Sequence, residues 1–77
     1  MPTLEIMLNA AIDGQDWKTA ALCILANPIS TKLTTETTRP LAQIAFPADL
    51  QAPVPDQAKF IRGVVRLVDA MESRYAR

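Results

Sequence analysis

The sequence predicts an all-α fold, a small domain of three or four helices in which an N-terminal helical hairpin packs on a long C-terminal amphipathic helix. Three observations predict it. Apolar residues recur at helical spacing in three separate stretches. Helix-stopping and helix-starting residues sit between the first two stretches, at Asp13-Gly14-Gln15-Asp16. The one threonine-rich stretch that could favour a strand, Ser30 to Arg39, has almost no apolar residues to bury and reads instead as an irregular polar connection.

The first helix is expected over residues 3–12, with Thr3 as its N-cap and Glu5 in the positive first turn. Leu4, Met7, Leu8, Ala11 and Ile12 would form its buried face, with Ile6 on the other side. Gly14 suits the left-handed position that closes a helix, and Asp16 suits the cap of the next one, so residues 13–16 predict a tight helical hairpin. The second helix is expected over residues 17–26. It should stop at Asn27, because a residue preceding proline is pushed out of helical geometry.

That second helix is apolar on nearly every side, with only Lys18 and Thr19 clearly polar. A helix of that kind wants neighbours all round. Three short helices do not readily enclose one of their own number, so part of its surface, Leu22 and Ile24 in particular, is expected to meet another chain. Pro40 fits the first position of a short third helix over residues 40–46, capped by Thr38 or Arg39, with Leu41, Ile44, Ala45 and Phe46 on its buried side. Residues 47–55 hold three prolines, which predicts a stiff, extended crossover inside a single domain spanning residues 1–77.

The last helix is expected over residues 56–75, with an acidic residue near its positive end and Arg74 near its negative end. Phe60, Ile61, Val64, Val65, Leu67, Val68, Met71 and Tyr75 make its apolar side. The width of that side exceeds what one partner helix covers and suits packing across a hairpin or into a homodimer. Lys59, Arg62 and Arg66 follow one another at three- and four-residue spacing and share a face.

Composition then removes most function classes. Histidine is absent, cysteine occurs once and glycine twice. Without histidine there is no Ser/His or Cys/His nucleophile pair and no imidazole metal ligand. One cysteine makes no disulfide framework, CxxC motif or thiolate zinc site. Gly14 and Gly63 lie too far apart for a phosphate-cradling loop. The carboxylates have structural readings: Asp13 and Asp16 as turn and cap residues, Asp69 and Glu72 as partners for nearby arginines. Trp17 reads as the anchor of the hairpin, and Cys23 as a buried small apolar side chain. No enzyme, cofactor, metal or small-molecule substrate is expected.

Eight basic residues balance eight acidic ones, so the chain lacks the excess positive charge of a dedicated nucleic-acid or membrane-surface protein. The N-terminus has no basic segment leading an apolar run, and no apolar stretch approaches the roughly 20 residues that span a bilayer, so a cytoplasmic location is expected. These readings converge on a protein–protein interaction module: an adaptor, a regulator or a small inhibitor of a larger complex, acting by stoichiometric binding to another protein or to itself. The residues expected at its interface are Trp17, Leu22, Ile24, Lys59, Arg62 and Arg66. Two alternatives stand beside it, a nucleic-acid accessory protein using the basic face of the last helix and a structural subunit of a larger particle.

Overall fold

The computed structural model describes residues 4–47 and 54–75, and all regular structure among them is helical. Helix α1 spans Leu4–Asp13, α2 Trp17–Ala26, α3 Thr35–Ala45 and α4 Gln57–Tyr75, with a 3-10 turn at Pro28–Lys32 between α2 and α3. The expected N-cap Thr3 and most of the proline-rich crossover lie outside the described residues.

The α1–α2 hairpin is closed by a six-residue hydrogen-bond ring. The Asp16 amide donates to the Ala11 carbonyl at 2.7 Å and the Gln15 amide to the Ile12 carbonyl at 3.0 Å, the pattern of a Schellman motif. The left-handed residue in this ring is Gln15, at φ 57°, and not Gly14 as the glycine suggests. Register explains the difference. Asp16 must supply the outer amide of the ring and also cap α2, which places the left-handed position at the residue immediately before it.

Asp16 performs that second task through both carboxylate oxygens. The Thr19 amide donates to Oδ1 at 3.2 Å and the Thr19 hydroxyl to Oδ2 at 2.6 Å. At the other end α2 stops at Asn27, which is extended at ψ 130° before Pro28. Asn27 then caps the 3-10 turn by accepting from the Ile29 amide at 3.0 Å.

Helix α2 is the centre of the molecule, packed against α1, α3, α4 and the 3-10 turn. Its Ala20, Ala21, Cys23 and Ile24 are buried. Of the two residues expected to meet another chain, Ile24 is therefore enclosed within this one, while Leu22 stays 36% exposed. Small side chains at Ala20 and Ala21 let neighbouring helices come close, and the long α4 together with α1, α3 and the 3-10 turn encloses most of it. Helix α1 packs chiefly on α2 alone, so only a narrow stripe of it is covered. Met7, expected inside, is left 43% exposed, while Leu8 and Ile12 rest against the core that Ala11 joins.

Between α2 and α4 the sequence reading is corrected most. Thr35 to Arg39 form neither strand nor irregular connection but the first half of α3. Thr34 stands at the N-cap position, Glu36 occupies the first turn, and Pro40 is in the helix interior rather than at its first position. Threonine is a mediocre helix former, but Leu41, Ile44 and Ala45 are buried on α2 and the half-buried Thr37 and Thr38 lie one turn before them, so packing outweighs propensity. Phe46, expected on the buried side, caps the end of α3 and is 64% exposed.

Helix α4 begins one residue later than expected, after Asp56. The Asp56 carboxylate accepts from the Lys59 amide at 3.1 Å and its carbonyl from the Phe60 amide at 3.1 Å. Ile61, Val64 and Val68 complete a core with Ile24 and Leu41, and no polar or charged residue is buried among the described residues. Glu72 serves the fold rather than an arginine, its Oε1 accepting from Asn27 Nδ2 at 2.7 Å and tying the end of α2 to α4. None of the described helices is long and apolar enough to cross a membrane.

Candidate docking surface on the C-terminal helix

Successive residues of an α-helix are about 100° apart, which orders the N-terminal half of α4 around its axis. Ile61, Val64 and Val68 point into the core. Next to them come Phe60 and Leu67, then Gly63, then the strip formed by Lys59, Arg66 and Arg62. The order matters because the wide apolar side is only partly used within the chain. Phe60 is half-buried, and Leu67 remains 44% exposed.

Two adjoining hollows follow from this order. An open apolar groove of about 430 Å³ runs between α3 and α4, lined by Thr37, Pro55, Phe60, Gly63, Val64 and Leu67, with Asp56 and Lys59 at its margin. A second hollow of about 460 Å³ lies beside it over Ala58, Arg62 and Arg66, and the two share Asp56, Lys59 and Gly63. Gly63 is thus the saddle between an apolar trough and a cationic shelf.

Among the described residues nothing calls for glycine at this position. A Cβ added to Gly63 would meet no atom within 4 Å, and its backbone is ordinary helix. Interior glycine destabilises a helix by roughly 0.5–1 kcal/mol relative to alanine, a cost that no packing among the described residues returns.

The cationic shelf is braced from below. The Arg62 guanidinium carbon lies 5.8 Å from the centroid of the Trp17 ring, close enough for a cation–π contact. Trp17, half-buried at the first turn of α2, therefore anchors the hairpin to α4 as expected and also holds one of the three cations in place. The six residues expected at an interface accordingly divide. Lys59, Arg62 and Arg66 share one strip of α4, and Trp17 of α2 lies against Arg62. Leu22, 36% exposed on α2, lines neither hollow, and Ile24 is 1% exposed and belongs to the core, which corrects its assignment to a surface.

Phe60 and Leu67 belong to the wide apolar side that the periodicity of α4 predicts, whereas Gly63 and Thr37 are contributors that it does not predict. Gly63 carried a readable signal, as a glycine inside an otherwise clean amphipathic helix. Thr37 carries none, since local preference in its segment does not favour helix.

Other chemically capable groups are occupied by structure. The Asp16 carboxyl is held below the ordinary aspartate value, first by the Thr19 hydroxyl, then by the Thr19 amide, with Lys18 adding a smaller pull. Its stabilising contribution is therefore complete above the unfolded value of about 3.9 and is lost as pH falls through the lower folded value. Melting temperature should accordingly drop on acidification below about pH 4, and Asp16→Asn should flatten that part of the profile; an unchanged profile in the variant would contradict the cap's role. Burial, followed by the Asp16 charge, pushes the Cys23 thiol up, away from the reactive thiolate. Among the described residues no group of three or more acidic or cysteine side chains is placed to hold a metal ion.

No protein family, curated protein or solved structure gives a significant match to this chain. Its reading accordingly rests on the surface of α4 itself.

Proposed function

We propose that this chain is a non-enzymatic protein-binding module that works by stoichiometric docking on α4. The observation that supports this most is the apolar groove of Phe60, Gly63 and Leu67 lying directly beside the exposed cations Lys59, Arg62 and Arg66. Apolar area supplies affinity and neighbouring charge supplies orientation and encounter rate, the division of labour found in protein interfaces. Asp16 and Glu72 hold the fold together, and Cys23 is buried with its thiol pushed up, which also favours binding over catalysis.

Leu67→Glu tests the reading, because Leu67 is 44% exposed and its replacement leaves the core intact. Wild-type protein used as bait in nuclease-treated lysate should retain a protein in stoichiometric amount that the variant loses. Identical retained sets would overturn the reading. Binding that disappears with nuclease treatment would transfer the shelf to nucleic acid, the second reading that the three cations support.

A further inference from the structure

We propose that the occupant of this groove is an acidic amphipathic helix of another protein, laid along α4 with its apolar stripe on Phe60, Gly63 and Leu67 and its carboxylates over Lys59, Arg62 and Arg66. This rests on the docking reading above and adds to it the secondary structure and the charge of the partner.

Helical form follows from what α4 offers. Its backbone amides and carbonyls are hydrogen-bonded within the helix, so an extended peptide would find no sheet edge to join, and recognition falls to side chains. The groove follows α4 from Lys59 to Leu67, about 12 Å at helical rise, or just over two turns facing two turns. At its centre Gly63 presents no side chain and has open space above it, which lets a second helix axis approach closely. This supplies the return that packing among the described residues does not.

Charge selects the partner. Residues 58–67 contain Lys59, Arg62 and Arg66 and no carboxylate, and the nearby Asp56 carboxylate is engaged by the Lys59 amide. A second copy of this chain docked through the same face would bring two such strips together, so like charges disfavour self-association here and favour a partner rich in glutamate or aspartate. Nucleic acid would meet the cations but leave the adjoining Phe60 and Leu67 trough unfilled.

The probe is a synthetic peptide of about 18 residues, long enough to hold a helix, with leucine at i, i+3, i+4 and i+7 and glutamate on the flanks. A matched peptide carries lysine in place of each glutamate. Affinities for the full chain are measured by calorimetry at low salt. The glutamate peptide is expected to bind at least about tenfold more tightly than the lysine peptide, and to weaken about tenfold both in Gly63→Leu and in a Lys59→Glu, Arg66→Glu double variant. Gly63→Leu obstructs the saddle from a position whose added Cβ meets no atom within 4 Å among the described residues, and retained helical circular dichroism and melting temperature verify its fold.

Equal affinity for the two peptides, with both lost in Gly63→Leu, would overturn the acidic partner and leave the docking surface standing. Unchanged binding of both peptides in Gly63→Leu would overturn the docking surface as well. Displacement of the glutamate peptide by short duplex DNA at equal concentration would also overturn the proposal, assigning the shelf to phosphates.

Discussion

Ile24→Glu is expected to abolish folding, whereas Leu22→Glu, two residues away on the same helix, is expected to leave the fold intact. Ile24 is 1% exposed and sits among Leu41, Ile44 and Ile61 with no polar side chain buried nearby to receive a carboxylate. An unpaired buried charge costs on the order of 3–5 kcal/mol, to which the lost apolar contacts add. A domain of this length has about 4–12 kcal/mol in total. Leu22 is 36% exposed, so a glutamate there keeps its water. Circular dichroism melts of both variants make the comparison. A cooperative, native-like melt for Ile24→Glu would show that α2 is not the centre of the core, and a collapse of Leu22→Glu would show that its outer side is covered in a way the fold does not reveal.

Pro40→Ala is expected to stabilise the protein. Pro40 lies in the interior of α3, where it has no amide to donate to the Glu36 carbonyl and where its ring crowds that carbonyl. Alanine relieves a penalty of about 3 kcal/mol and gives up the packing of a half-buried ring, so a net gain of about 1–2 kcal/mol is expected. In a domain of this size each kcal/mol moves the midpoint by about 4–8 °C. The gain should appear as a higher melting temperature with the same helical signal. A lower midpoint would mean that the ring's contacts exceed the helical penalty.

The same proline explains where the sequence misled. Pro40 commonly marks the first residue of a helix, and the threonines before it favour strand or turn, so local preference divides 30–46 into connection and short helix. The competing signals were present but weaker: Thr34 in a position to cap, with Glu36 following in the first turn. What decides between them is tertiary. Leu41, Ile44 and Ala45 need a continuous helix to reach α2, and that need cannot be read from residues 30–46 alone.

Elsewhere the local signals were sufficient. Asp16 and the Asn27-Pro28 pair bound α2 with strong, short-range chemistry, and the apolar periodicity of α4 is long enough to average out single exceptions. The Gln15 turn shows the limit of single-residue rules, because Gly14 is the better left-handed residue in isolation but the hydrogen-bond ring and the Asp16 cap must share one register.

The candidate surface was half legible. The spacing of Lys59, Arg62 and Arg66 puts them on a common face from sequence, and the place of Trp17 at the hairpin marks it as an anchor, though its contact with Arg62 depends on how the hairpin meets α4. The apolarity of α2 does not distinguish Leu22 from Ile24, and only the packing of four elements around that helix separates the buried one from the exposed one. The groove depends on α3, which explains why it could not be anticipated.

Titration of isotope-labelled protein with the glutamate peptide, followed by amide chemical shifts, tests the α4 surface most directly. The account predicts that the largest perturbations fall on Thr37 and on residues 59–67, with the Trp17 indole moving as Arg62 is engaged. Perturbations centred on Leu22 and α1, with residues 59–67 unmoved, would contradict it.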